Sequence, residues 1–282
     1  MISRRSFTRA VAVSAVATSL PAVTATTATA TGNTSLGRIK HVRAGVLDIA
    51  YAEFGPRTGQ AVVLLHGWPY DAHSYVDVAP LLAAEGYRVL VPFLRGYGGT
   101  TFLSPDAVRN GQQSAVALDV IAFMDALRID QAVLGGFDWG ARTVGVVAAL
   151  WPRRCKAIVS VSGYLVTNLK RNLEPLPPAA ERGWWYQYYF ATERGVLGYR
   201  RDRHGFNKLI WREASPRWDF DDATVPAITI GSDFDGAAAD GSSYRDKFTG
   251  RYDHRVFEGI GHNVPQEAPV PFARAVVDAD HL

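Results

Sequence analysis

The chain has 282 residues, 48% of them hydrophobic and 20% charged, with a formal net charge of +3. Residues 1–30 hold Arg4, Arg5 and Arg9 and no acid, so the remainder carries 27 basic and 27 acidic side chains and is formally neutral. That balance excludes nucleic acid or an anionic membrane as a partner held by net charge, and a single cysteine, Cys155, excludes an internal disulfide.

The first element is a leader. Arg4 and Arg5 stand beside Ser3 and Phe7, an apolar run extends from Ala10 to Leu20, and Ala28-Thr29-Ala30 has the A-x-A form of a cleavage site. Residues 1–30 therefore read as a twin-arginine export signal, with the mature protein expected outside the cytoplasm. The apolar run is about half of the ~20 residues a spanning helix needs, so no stable membrane anchor is expected in the mature form.

"IKHVRAGVLDIAYAEFG" (39–55) predicts a hairpin. Short apolar runs follow: "AVVLLHG" (61–67), "YRVLVPF" (87–93), "QAVLGGF" (131–137), "KAIVSVSG" (156–163) and "PAITIGS" (226–232). They are continuous rather than alternating, the pattern of strands buried on both faces of a parallel sheet. Between two of them, "SAVALDVIAFMDALRI" (114–129) puts Val116, Val120, Phe123, Met124 and Leu127 on one helical face. Alternating strand and helix predicts an α/β fold, a mostly parallel sheet flanked by helices. Cys155 begins the apolar "CKAIVSVSG" and is expected to be a core residue.

Residues 164–222 break the rhythm. Prolines in "EPLPP" precede "ERGWWYQYYFATERG", which holds Trp184, Trp185, Tyr186, Tyr188, Tyr189 and Phe190. This segment predicts a small helical cap inserted into a core formed by 31–163 and 223–282. A cap over the carboxyl ends of the strands would lie where ligands of open α/β sheets bind.

"GGFDWGAR" (135–142) carries the chemistry. Gly136 and Gly140 flank Asp138 at two residues before and after, between a strand and the helix "ARTVGVVAAL". That is the context of a nucleophile elbow, with aspartate at its tip. Taken alone, Asp138 could equally be a helix N-cap. Its surroundings favour chemistry. "HGWP" (66–69) follows the third strand and can aim the Trp68 N–H, paired with that of Trp139, at a developing oxyanion. "GIGHNVPQEAP" places His262 in a late turn, and "TIGSDFDGA" offers Asp235, with Asp233 as the alternative, to orient it. The order nucleophile, acid, histidine is that of an α/β-hydrolase triad. His66 reads as a structural residue of the oxyanion loop.

A carboxylate nucleophile suits displacement at an sp³ carbon, giving an alkyl ester that activated water then cleaves. At these residues the chain resembles the epoxide hydrolases of the α/β-hydrolase superfamily, with haloalkane dehalogenases close to them. "HGWP" is similar to the family's H-G-x-P, "GGFDWG" to G-x-D-W-G, "GIGHNVPQEAP" to G-x-G-H, and "WYQYYF" to the cap segment bearing a tyrosine. The resemblance implies that Asp138, Asp235 and His262 are catalytic and that Tyr186 hydrogen-bonds the epoxide oxygen. It further implies a small apolar epoxide or halide as substrate. Trp185 and Tyr189 are the expected substrate-binding residues of the aromatic cap. The chain departs from the family where "SPRWDFDDAT" runs into "VPAITIGS", leaving no place for the later cap helix and its second tyrosine.

Two other functions fit the same residues. A haloalkane dehalogenase would use the Trp139 indole N–H on the leaving halide, and a non-catalytic binding protein would keep the fold with a vestigial triad. No metal cluster or phosphate loop is evident, so no cofactor is expected.

Overall fold

The computed structural model describes residues 35–163, 170, 173–217, 251–257 and 259–282. The expected signal at 1–30, the strand at 226–232 and Asp233 and Asp235 lie outside the described residues.

Leu47–Phe54 (β2) folds back on Lys40–Ala44 (β1) as an antiparallel hairpin, Ala44 opposite Leu47. Gly45 takes the reversal at φ 55°, a left-handed conformation that costs glycine little. The remaining strands are β3 (Ala61–Leu65), β4 (Arg88–Pro92), β5 (Thr101–Phe102), β6 (Ala132–Phe137) and β7 (Cys155–Val161). Among the described residues they form one sheet in the order β1-β2-β4-β3-β6-β7, with β5 paired to β2. β4, β3, β6 and β7 are parallel, and β1, β2 and β5 form the antiparallel part.

The apolar runs form the centre of this sheet for the expected reason. Val62, Val63, Leu64 and Leu65 of β3 and Val133 and Leu134 of β6 have no exposed surface. Burying each such side chain is worth roughly 1.5–3 kcal/mol. β7 differs from the expectation of a strand covered on both faces: Lys156 and Ser160 are exposed and the rest only half-buried. It ends the described strand order, paired to β6 on one side. Cys155 is accordingly half-buried, its Sγ 3.4 Å from the Ala157 carbonyl, and burial pushes the thiol up to about 12, away from reactivity at neutral pH.

Helices α1 (Val78–Ala84), α2 (Gln113–Ala126) and α3 (Trp139–Leu150) follow β3, β5 and β6. In α2, Val116, Val120, Phe123 and Met124 are buried as their spacing predicts. The helix stops short of the expected Ile129 because Arg128 adopts φ 55° and the Ile129 N–H returns to the Met124 carbonyl at 2.8 Å.

Among the described residues, β7 is followed by the helices α4 (Pro178–Gly183), α5 (Trp185–Phe190), α6 (Glu193–Arg201) and α7 (Arg203–Ala214). Thr192 and Asp202 cap α6 and α7 through the N–H groups of Gly195 and Gly205. The chain closes with α8 (Val264–Glu267) and α9 (Pro269–His281), and α9 packs on α1 and β7.

The order reverses at β3. The chain passes from β3 to β4 on one side and reaches β6 on the other, so the carboxyl ends of β3 and β6 diverge at the switch point of the sheet. Register pairs Leu65 with Gly136, which brings His66-Gly67-Trp68 alongside Phe137-Asp138.

Candidate active site

Asp138 stands between β6 and α3 with φ 51° and ψ −116°, outside the regions ordinary residues adopt. A strained residue of this kind costs about 1–3 kcal/mol and persists only where neighbours fix it. Glycines do so here. A Cβ on Gly136 would meet the Gly140 carbonyl carbon at 2.4 Å, and one on Gly140 would meet the Leu65 carbonyl oxygen at 1.9 Å. The Leu65 oxygen is itself held by the Tyr75 hydroxyl, which donates to it at 2.8 Å. On the far side, a Cβ on Gly67 would fall 2.5 Å from the Asp138 side chain. The backbone of the His66–Trp68 loop can therefore come up against the carboxylate.

The result is a fully buried Asp138 whose two oxygens differ. Oδ1 accepts the Trp68 N–H at 2.8 Å. Oδ2 accepts no hydrogen bond among the described residues and lies 3.9 Å from His262 Nε2 and 3.8 Å from Arg142 Nη2. Trp139 is the first residue of α3, so its N–H belongs to the positive end of that helix.

His66 is structural, as its position in the loop predicts. Its Nε2 accepts the Leu94 N–H at 3.1 Å, which leaves Nδ1 to donate to the Gly67 carbonyl, also at 3.1 Å. Burial pushes it down to about 4, so it stays neutral.

His262 follows the Ile260-Gly261 turn and precedes α8. Burial lowers it below the usual imidazole value, Asp138 and Glu267 oppose that shift, and the Arg142 cation adds to it. A base must be unprotonated to accept a proton, so a lowered value extends its working range downward in pH. The acid limb of any His262-dependent step is expected below pH 6.5. A single-turnover pH profile with its limb above that value would contradict this.

Tyr186, on α5, is buried with its ring centroid 5.2 Å from that of Trp68. Trp185 and Tyr189 belong to a wider aromatic cluster. Trp185 is 5.5 Å from Phe206 and donates its indole N–H to Glu213 at 3.2 Å, while Tyr189 stacks on Phe206 at 6.0 Å. Asp235, the expected acid, lies outside the described residues.

Four residues of the site escape a reading of motifs. Arg142 is fully buried four residues beyond Asp138, with its guanidinium 5.0 Å from the Trp139 ring. A charge one helical turn after Asp138, in a segment whose only other polar side chain is Thr143, is the available signal. Tyr70 lies between Trp211, on which it stacks at 5.1 Å, and His262, 5.9 Å away. Glu267 sits within the histidine block, whereas nothing local marks Ser215; both reach the His262 turn through hydrogen bonds.

A family model described as the alpha/beta hydrolase fold matches residues 60–265, from the start of β3 through the histidine turn. The chain belongs to the alpha/beta hydrolase fold family. A solved structure of a candidate epoxide hydrolase from Klebsiella pneumoniae is 48% identical, with a TM-score of 0.79 covering 87% of this chain and 98% of that one. Epoxide hydrolase B of Mycobacterium tuberculosis is 33% identical over 154 residues, 49% of this chain and 42% of its own length. Bifunctional epoxide hydrolase 2 of Sus scrofa is 32% identical over 147 residues, 52% of this chain and 25% of its own length. The chain thus spans less than half the length of these curated relatives.

Proposed function

We propose that this α/β hydrolase opens an epoxide to a diol through an ester on Asp138. The observation that carries this reading is the asymmetry of the Asp138 carboxylate: Oδ1 is held by the Trp68 N–H, and Oδ2 faces His262. The epoxide hydrolase names of the relatives support the choice of substrate class.

In the first step Asp138 Oδ2 attacks an epoxide carbon, the ring C–O bond breaks, and Tyr186 donates to the oxygen that leaves the carbon. Oδ1 becomes the carbonyl oxygen of the alkyl ester. In the second step His262 Nε2 removes a proton from water, whose oxygen adds to Cγ. Negative charge then develops on Oδ1, already in contact with the Trp68 N–H, and the Trp139 N–H is assigned as the second donor. Collapse breaks the Cγ–Oδ2 bond, and Oδ2 leaves with the product, taking the proton held by His262. The proton left on the new Asp138 hydroxyl replaces the one Tyr186 gave to the first alkoxide and so restores the carboxylate. Asp235 is the acid assigned to orient His262, and the aromatic cap supplies an apolar wall. Residues 1–30 are assigned as the export signal.

The test is a His262→Gln variant incubated separately with styrene oxide and with bromoethane. Ester hydrolysis is expected to slow by about 10³-fold, within the range for loss of a general base, so an adduct accumulates on Asp138. A peptide mass that retains the epoxide oxygen supports the proposal. An adduct only from bromoethane, with loss of halide, replaces it with dehalogenation. No adduct from either, in a folded protein, leaves a binding role.

A further inference from the structure

Ser215, the residue after α7, is buried and joins the cap to the catalytic turn. Its hydroxyl donates to Glu267 Oε1 at 2.6 Å and accepts the N–H groups of His262 at 3.0 Å and Asn263 at 3.4 Å. Glu267 accepts the Gly261 N–H on Oε2 at 2.7 Å and the Asn263 N–H on Oε1 at 3.0 Å. The His262 N–H is shared with the Ala214 carbonyl, the last residue of α7, at 3.2 Å. All three amides around the base are therefore held by one serine and one carboxylate.

The approach is close at the backbone. A Cβ on Gly261 would meet Ser215 Cα at 2.6 Å, so only glycine lets the turn reach the end of α7. Tyr70, from the oxyanion loop, lies against Ser215 and stacks on Trp211 of α7 with rings 8° from parallel. Helix capping alone does not account for this arrangement. A capping interaction for α8 needs the Asn263 N–H, whereas Gly261 and Ser215 lie beyond it.

We infer that Ser215 and Glu267 form a positioning clamp that holds His262 in line with Asp138 only when α7 is seated, so that the cap governs ester hydrolysis but not ester formation. This rests on the Asp138 ester of the proposed function. Neither residue touches substrate in this account. Ser215 acts through the orientation of His262 alone, whereas the Glu267 carboxylate also supports its basicity, so Ser215→Ala isolates the positional effect.

The experiment uses Ser215→Ala and Glu267→Gln in the full chain, with wild type and His262→Gln as references. Rapid quench with styrene oxide follows formation and loss of the Asp138 ester, and hydrogen exchange follows the amides of residues 261–263. In both variants ester formation is expected within about twofold of wild type and hydrolysis at least about tenfold slower, with faster exchange at these amides. Equal slowing of both steps, or no change in hydrolysis and exchange, would overturn the clamp. If no ester forms even in His262→Gln, the reaction reading fails while exchange still decides the clamp: faster exchange supports it and unchanged exchange rejects it.

Discussion

Asp138→Asn is expected to leave a folded protein whose turnover of epoxides is lower by about 10⁴-fold or more, the scale seen when a covalent nucleophile is removed. The amide preserves the shape of the elbow. Its oxygen can still accept the Trp68 N–H now held by Oδ1 at 2.8 Å, and asparagine tolerates the positive φ of 51° better than most residues. What it loses is the second oxygen, the atom 3.9 Å from His262 Nε2, replaced by an amide nitrogen without a nucleophilic lone pair. Two electrostatic effects compete in stability. Neutralising a fully buried carboxylate removes a desolvation cost, and the same change weakens the attraction to Arg142, 3.8 Å away. At the outer limit of ion-pair distance the two nearly offset, so unfolding free energy is expected to change by less than about 2 kcal/mol. Turnover kinetics and denaturant unfolding check the two halves of this prediction. Retained turnover would mean that Asp138 is not the nucleophile.

Gly140→Ala is expected to be the most damaging single-methyl change near the site. The new Cβ would lie 1.9 Å from the Leu65 carbonyl oxygen, 2.5 Å from its carbon and 3.0 Å from the His66 oxygen, all backbone atoms. Backbone cannot rotate aside as a side chain does, so β3 and α3 must separate. Leu65 is tied to the Tyr75 hydroxyl and to the β3–β6 ladder, which resist that movement. We expect a loss of at least about 3 kcal/mol, at the upper end of overpacking costs, or failure to accumulate soluble protein. Gly183→Ala is the matched control. It ends α4 with no heavy atom within 4 Å of the added Cβ, so alanine should be neutral or stabilising by up to about 1 kcal/mol. Denaturant midpoints of the two variants would check the contrast, and equal stability would deny the close packing of the elbow.

The sequence made the elbow legible because its constraints are local. Gly136 and Gly140 announce a close strand–helix approach, and the continuous apolar runs at 61–65 and 132–137 announce a buried parallel sheet. The two-residue β5 has no signal in the chain, since it exists only through its pairing with Leu47 and Asp48. α6 and α7 follow no apolar run in the chain, and their starts depend on the Thr192 and Asp202 caps. The early hairpin and the α2 core face followed their patterns, while the end of α2 depended on one residue, Arg128, entering the left-handed region.

Within the site, the contributions of Trp68 and His262 follow from motif position. Those of Arg142, Tyr70, Ser215 and Glu267 arise from residues brought together by the fold, and no spacing in the chain predicts that Ser215 meets the His262 amide 47 residues away. Tyr186 shows both sides of this. The segment "WYQYYF" singled it out, but its placement over Trp68 depends on how α5 packs. The assignment of Asp235 over Asp233 rests on its place directly before Gly236 and on the order nucleophile, acid, histidine.

The most direct test of the Asp138 ester is a single turnover of styrene oxide in oxygen-18 water with enzyme in excess. Because Oδ2 leaves with the product and water adds to Cγ, the account predicts unlabelled diol and one heavy oxygen on the Asp138 peptide after the first turnover. Heavy oxygen in the diol on that turnover, with an unlabelled Asp138 peptide, would mean that water attacks the epoxide directly and that Asp138 is not the nucleophile.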